Sequence, residues 1–153
     1  MGNIFNDDFR DFIRHLNQSN VKYILVGGYS VILHGYPRTT GDMDIWVART
    51  EENYKKIKVA LFSFGMPLFD MTEENFLRHP DWEVYTYGRP PYSIDIMTDV
   101  KGMDFDECFE KAIFFEEDGL LIKTIDINNL LEAKKASGRF KDKQDIENLK
   151  PKE

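Results

Sequence analysis

One short apolar run of the chain reads Asp42-Met43-Asp44-Ile45-Trp46-Val47. Residues two apart on a β-strand share a face, so this pattern predicts a strand that buries its apolar side chains and projects Asp42 and Asp44 together from the other side. Aspartate is depleted in strands, and two like charges on one face repel each other. A divalent cation would neutralise them, because hard cations take carboxylate oxygens. The alternative interpretation is two solvated aspartates on an edge strand.

A glycine pair, Gly27-Gly28, precedes this strand along the chain. It follows a buried strand predicted over 21–26 and comes just before a short helix predicted over 29–34. Glycine lets the backbone approach a phosphate, and the N–H groups at a helix start attract anions, so this turn can hold a phosphate, with Ser30 adding a hydroxyl. The spacings of a Walker loop and of a dinucleotide-binding fingerprint are absent. The alternative is an ordinary turn between a strand and a helix.

A third aspartate occupies a similar position in Tyr92-Ser93-Ile94-Asp95-Ile96-Met97. Asp95 would face away from the apolar side of its strand, as the first two aspartates do. If the two strands pair, three carboxylates converge, and each raises the pKa of the others unless a cation is present. The cluster therefore predicts bound Mg²⁺ or Mn²⁺, whereas Asp95 alone would be interpreted as a solvated strand residue.

The composition is that of an acidic protein of one-domain size. The chain has 153 residues, 42% of them apolar, a formal charge of −7 and a pI near 5.0. We therefore expect a single domain over 1–153 that lacks a broad basic surface for nucleic acid, although a local basic pocket stays possible. Cys108 is the single cysteine, so no intrachain disulfide can form. The sequence shows neither a signal peptide nor an apolar run near the roughly 20 residues that span a bilayer, which predicts a cytoplasmic protein with no membrane partner.

The rest of the chain shows a mixed α/β pattern. Helices are predicted from Asn6 or Asp7, from Thr50 to Phe64, over 73–77 and over 105–111. Strand pairs are predicted at 82–87 with 92–97 and at 112–115 with 120–125. A helix capped by Asp126 should end at Gly138, and a last helix follows it.

Charged residues crowd the last two predicted helices, over 134–145. The apolar stripe of Ile127, Leu130 and Leu131 continues at position 134, so we expect Lys134 to face the glycine pair with its stem covered and its ammonium free. Lys135, one position round the helix, should be exposed. This segment is either a local cationic patch for a triphosphate or a solvated, salt-bridged helix pair.

Together these motifs resemble those of the polymerase-β-like nucleotidyltransferase superfamily. The segment that runs from Gly27-Gly28-Tyr29-Ser30 to His34-Gly35-Tyr36-Pro37-Arg38-Thr39-Thr40-Gly41-Asp42-Met43-Asp44 is similar to one subgroup, the small nucleotidyltransferases related to AbiEii-type toxins of bacterial abortive-infection systems. Members of that subgroup often show a His-Gly-x-x-Arg-x-Thr-x-Asp-x-Asp loop. The tail with Lys134 and Arg139-x-Lys141-Asp142 is similar to their C-terminal motif. The likeness covers residues 21–149.

The resemblance implies an α/β (α+β) fold with a mixed β-sheet flanked by helices, and nucleotidyl transfer from a nucleoside triphosphate to an acceptor hydroxyl. Two Mg²⁺ ions held by Asp42, Asp44 and Asp95 would neutralise charge on the attacking and leaving oxygens, and Asp95 could also take the acceptor's proton. The implied catalytic residues are Asp42, Asp44, Asp95 and Lys134. The implied nucleotide contacts come from the glycine turn, the loop and the tail: Gly27, Gly28, Ser30, Arg38, Thr40, Lys134, Arg139 and Asp142.

Three kinds of acceptor stay open at this stage: RNA, a protein and a small molecule. One alternative function is that of an antitoxin or regulatory partner on the same fold, which a neighbouring gene for a toxin would support. Another is an antibiotic-modifying nucleotidyltransferase, since an acidic protein attracts cationic acceptors such as aminoglycosides.

Overall fold

The computed structural model of the protein describes residues 5–36, 40–79, 81–89 and 91–149, with the backbone alone at residues 140 and 141. Seven helices and six strands lie within these ranges. The helices are α1 (Asp7–Gln18), α2 (Gly27–Leu33), α3 (Glu51–Phe64), α4 (Glu73–Arg78), α5 (Phe105–Lys111), α6 (Ile127–Ser137) and α7 (Phe140–Leu149). The strands are β1 (Tyr23–Val26), β2 (Asp42–Val47), β3 (Val84–Arg89), β4 (Tyr92–Met97), β5 (Ile113–Glu117) and β6 (Leu120–Thr124).

The six strands form one mixed sheet in the order β3-β4-β2-β1-β6-β5. The β2–β4 and β1–β6 pairs are parallel, and the other neighbouring strands are antiparallel. The predicted mixed sheet flanked by helices is therefore confirmed. Its order sets the two aspartate-bearing strands, β2 and β4, side by side.

Hydrophobic layers cover both faces of the sheet. Met43 and Ile45 of β2 belong to the layer that contains the buried side chains of α1 and α3. Trp46 belongs to the opposite layer, together with Leu130 of α6. Asp44 shares the Trp46 face because side chains alternate along a strand, so its carboxyl points beneath helices rather than into open solvent.

Apart from α2, capping signals set the predicted helix ends within one residue of the observed ones, whereas the strands β1, β3 and β5, predicted over 21–26, 82–87 and 112–115, are each displaced by two residues at one end or both. Thr50 begins α3 by accepting a hydrogen bond from the Asn53 N–H, and Gly65 ends it with a left-handed backbone at φ 92°. The helix α2 differs from its prediction, because it begins at Gly27 rather than two residues later. The glycine pair therefore lies within the first turn of the helix and not in a loop before it.

Within the described ranges, no helix is both long enough and apolar enough to cross a membrane.

Candidate active site

Two aspartate side chains meet where β2 and β4 run in parallel. Asp44 and Asp95 are partners in the register of these strands, and their side chains are hydrogen-bonded to each other. The next pair on this face, Trp46 and Met97, packs in the layer beneath the helices. The strand order thus places two carboxyl groups, which lie 51 positions apart in the sequence, at one partly covered point.

The Asp44 carboxyl keeps its proton close to neutral pH. Burial has the largest effect, and the charge and hydrogen bond of Asp95 and the charge of Asp42 add to it, so that the pKa of Asp44 rises from 3.8 to about 7. The charge of Lys134 lowers this pKa. A carboxyl that is this strongly perturbed by burial and by a specific charged partner is a candidate for function.

Two hydroxyl groups orient the carboxylates around this pair. Thr86 Oγ1 on β3 donates to Asp95 Oδ1 at 2.7 Å, and Ser93 Oγ on β4 donates to Asp42 Oδ1 at 2.6 Å. Asp42 is exposed at the start of β2, and its negative charge contributes to the raised pKa of Asp44. Among the residues that the structure describes, no three His, Cys, Asp or Glu side chains are grouped to hold a metal ion. The structure thus brings two of the three predicted carboxylates together and leaves the third bonded to a serine.

The glycine turn packs directly against the aspartate pair. A Cβ atom on Gly27 would lie 2.0 Å from Asp44 Oδ2, and the Gly27 backbone has φ +70°. Only glycine meets both conditions without strain. A Cβ atom on Gly28 would lie 2.6 Å from Thr40 Oγ1, so the predicted loop residue Thr40 sits against the second glycine. The glycine pair therefore allows strand β2 and the loop before it to approach the start of α2.

The structure does not place Ser30 where the sequence predicts a phosphate contact. Its side chain is fully buried, and its hydroxyl donates to the Gly27 carbonyl at 2.5 Å. The hydroxyl is therefore used inside the first turn of α2. The reason is the early start of that helix, which turns position 30 toward the core.

A cavity of about 450 Å³ lies beside the aspartate pair, and the tail residues of α6 and α7 reach it. Gly27, Asp44, Lys134, Arg139 and Asp142 all line it. The structure therefore places the predicted turn, the second aspartate of β2 and the charged tail around one space. Its size is that of a small-molecule site.

Lys134 is buried in an ion-pair cluster at the wall of this cavity. Its Nζ lies 3.2 Å from Asp142 Oδ1 and 3.0 Å from Asp145 Oδ2, and only 7% of its side chain is exposed. The expectation of a free ammonium is therefore wrong, because α7 folds back and supplies two carboxylates. Lys135 is exposed, as predicted, and its Nζ lies 3.4 Å from Glu132 Oε1.

Arg139 is a tail cation that lines the cavity with most of its side chain in solvent. Its side chain is 71% exposed, and its Nε donates to Asp142 Oδ2 at 2.7 Å. Burial raises the pKa of Asp142, but hydrogen bonds from Arg139, Ser137 and Lys134 and the charge of Lys134 outweigh this effect and lower it to about 2. The predicted nucleotide contact Arg38 lies outside the described residues.

The donor chemistry of the aspartates fits a hard divalent cation. Asp44 and Asp95 present adjacent carboxyl groups. Burial raises the pKa of Asp44 most, and the negative charges of Asp95 and Asp42, which raise it further, are charges that a cation would offset. Asp42 could add a third donor once its carboxylate turns away from Ser93. These three side chains would hold Mg²⁺, and this assignment remains a proposal.

Sequence reasoning missed three side chains that shape the site. Ser93 shares a face with Asp95 in an alternating strand, so its position was available as a signal. Thr86 also lies in an alternating run, but its bond to Asp95 depends on the β3–β4 register. Asp145 lies at the end of the charged segment 134–145, but its ion pair with Lys134 depends on how α7 folds back on α6.

Comparison with solved structures places this architecture among known folds. A predicted nucleotidyltransferase from Thermotoga maritima has a TM-score of 0.58 and 15% identity, over 92% of this chain and 88% of that one. The lincosamide antibiotic adenylyltransferase LnuA, in a structure with lincomycin bound, has a TM-score of 0.56 and 16% identity, over 97% and 98% of the two chains. An antigenic nucleotidyltransferase-like protein from Paracoccidioides brasiliensis has a TM-score of 0.51 and 14% identity, over 97% and 78%.

The chain has the nucleotidyltransferase fold. At these sequence identities the likeness shows the fold alone. The substrate and the acceptor have to be inferred from the chemistry of the site. No known protein-family model and no curated protein matches the sequence.

Proposed function

We propose that this protein transfers a nucleoside monophosphate from a nucleoside triphosphate to an acceptor hydroxyl. The observation that carries this proposal is Asp44, which is hydrogen-bonded to Asp95, has a raised pKa and lines a cavity together with Gly27, Lys134 and Arg139. The nucleotidyltransferase fold supports it.

In this proposal the carboxylates bind cations, and one of them accepts a proton from the acceptor. Asp42, Asp44 and Asp95 would hold two Mg²⁺ ions, which when bound would offset the negative charge of the phosphate oxygens. The acceptor oxygen bonds to the α-phosphorus, the bond to the β-phosphate oxygen breaks, and pyrophosphate leaves. Asp95 takes the proton of the acceptor hydroxyl, and the bond from Thr86 keeps that carboxylate oriented.

Lys134 and Arg139 have different roles in this proposal because their side chains differ in exposure. Arg139 faces the cavity with most of its side chain in solvent, so it contacts the triphosphate. Lys134 already faces two carboxylates, so it acts mainly as a positioning residue that holds α7 against α6. Gly27 lines the cavity beside Asp44, on the side where the triphosphate binds.

A small molecule is the acceptor that the observations favour. LnuA, an antibiotic adenylyltransferase, matches this chain over nearly the whole length of both proteins. The cavity of about 450 Å³ is also of small-molecule size. The closer relation to the AbiEii-type subgroup, an RNA or protein acceptor, and a toxin–antitoxin or regulatory role stay predictions from the sequence.

Label transfer tests this proposal directly. The protein is incubated at pH 8 with Mg²⁺, each of the four triphosphates labelled at the α-phosphate, and a panel of lincosamides, aminoglycosides, total RNA and cell protein. We expect one triphosphate to label a small molecule, and Asp95→Asn to reduce the rate at least about 100-fold. The matched control is Asp106→Asn at an exposed position of α5. Absence of label with every acceptor would contradict the transferase, and label on RNA or protein would replace the small-molecule acceptor.

A further inference from the structure

A second pocket lies at the opposite end of β1 from the glycine turn. It has a volume of about 360 Å³ and is lined by residues from the end of α1, the start of β1, α5, β5 and β6. Lys22 at its wall precedes Gly27 by five residues, which is roughly 16 Å along a strand. The proposed transferase site does not use this pocket.

Two lysines share this pocket with two aromatic rings. Lys123 Nζ lies 3.5 Å from the centroid of the Phe109 ring and 5.4 Å from that of Phe114. Lys22 Nζ lies 6.0 Å from the same Phe109 ring. Both ammonium groups therefore lie within cation–π distance of the Phe109 ring, an attraction that leaves their N–H donors available.

The charge of these lysines is not offset by carboxylates. Burial and the charge of Lys22 both lower the pKa of Lys123, so each ammonium repels the other. Among the described residues, neither lysine forms an ion pair with an acidic side chain. In a protein of net charge −7, two unpaired cations side by side make a local site for an anion.

An exposed ring lies next to these cations. Phe114 is 60% exposed and stands opposite Lys123 in the β5–β6 register. Its ring offers a face for stacking of a flat group, and Leu121, 51% exposed, extends the apolar rim. A ligand could therefore place an anionic group at the two lysines and a planar ring on Phe114, at adjacent positions in this pocket.

We propose that this pocket binds a nucleotide unit, with its phosphate at Lys22 and Lys123 and its base stacked on Phe114. Lysine–phosphate contact and base–aromatic stacking are the two elements by which proteins bind single-stranded nucleic acid. The unit comes from a single strand or from a free nucleotide, and the two sources share this chemistry. The inference goes beyond the transferase activity and does not depend on it.

Fluorescence anisotropy with labelled oligonucleotides tests the pocket. The intact chain is titrated against fluorescein-labelled U12 and dT12 at 50 mM salt in EDTA, so that no metal supports binding at the aspartate pair. We expect saturable binding that weakens at least tenfold in Lys22→Gln and in Lys123→Gln, with the salt dependence falling by about one unit for each lysine removed. Phe114→Ser should weaken binding about fivefold or more through the lost stacking. Unlabelled UMP and AMP form a second arm, and competition by them at equal nucleotide concentration identifies a free nucleotide as the ligand.

Matched control variants distinguish an effect of this pocket from the effect of losing any surface charge or any exposed ring. Lys58→Gln and Phe62→Ser remove an exposed lysine and an exposed ring from α3, outside this pocket, and should leave binding unchanged. Thermal unfolding checks that Lys123→Gln still folds, and Lys22→Gln at an exposed position tests the same pocket with less risk to folding. Absence of oligonucleotide and mononucleotide binding at low salt, or equal weakening by the α3 controls, would overturn the proposal.

Discussion

Replacement of Asp44 by asparagine should stabilise the free protein by an amount that depends on pH. The folded state raises the pKa of Asp44 from 3.8 to about 7, through burial first and then through the Asp95 carboxyl. The stability that protonated Asp44 supplies is complete below pH 3.8 and is lost as pH rises from there through about 7. Three pKa units correspond to about 4 kcal/mol. Asparagine cannot ionise, and its amide can donate to Asp95 as the proton does.

Urea unfolding followed by circular dichroism, in the absence of divalent cations, measures this effect. We expect Asp44→Asn to match the wild type near pH 4 and to gain up to about 4 kcal/mol at pH 8. The control is Asp142→Asn, which should lose about 2 kcal/mol at pH 7, because the folded state lowers the pKa of Asp142 to about 2. That contribution is present above pH 3.8 and is lost as pH falls toward 2. An Asp44→Asn variant that is destabilised at pH 8, or whose effect does not change with pH, would refute the reasoning.

Two further substitutions test the packing around the site by the same unfolding measurement. Lys134→Met should lower the free energy of unfolding by about 3 kcal/mol, because it leaves two buried carboxylates without their cation. Lys135→Met, at an exposed position, should change it by less than about 0.5 kcal/mol. Equal effects of the two substitutions would contradict the buried ion-pair cluster. Gly27→Ala should lower the free energy of unfolding by at least about 3 kcal/mol, because the new methyl group both strains the backbone and clashes with Asp44. Gly119→Ala strains the backbone at φ +83° but meets open space, so it should lower the free energy of unfolding by only about 1–2 kcal/mol. Similar losses at the two glycines would show that the Asp44 contact is not what requires glycine.

The sequence could predict the elements that local chemistry determines. The bounds of β2 follow from a short apolar run in which Asp42 and Asp44 alternate with apolar residues at its start. The bounds of α3 follow from the Thr50 cap and the left-handed Gly65. Even the shared face of Asp42 and Asp44 needs only the period of a strand.

What depends on tertiary partners could not be predicted in the same way. The Asp44–Asp95 pair requires β4 to lie beside β2, and alternation within a strand does not determine strand order. The burial of Ser30 follows from a helix that begins two residues early, which propensity does not resolve. Lys134 was placed on the correct helix face, but its ion pairs needed α7, whose packing no local pattern reveals.

In the proposed function, Asp44 and Asp95 form a binding site for a divalent cation with a nucleoside triphosphate. Isothermal titration of the protein with Mg²⁺ and a non-hydrolysable triphosphate, at pH 6 in buffers of different ionisation enthalpy, tests it most directly. Because the pKa of Asp44 is about 7, most molecules carry its proton at pH 6, and cation binding must displace it. The account predicts Mg²⁺-dependent binding with release of about one proton, and loss of that proton release in Asp44→Asn. Triphosphate binding that persists in EDTA, or that releases no proton in the wild type, would contradict it.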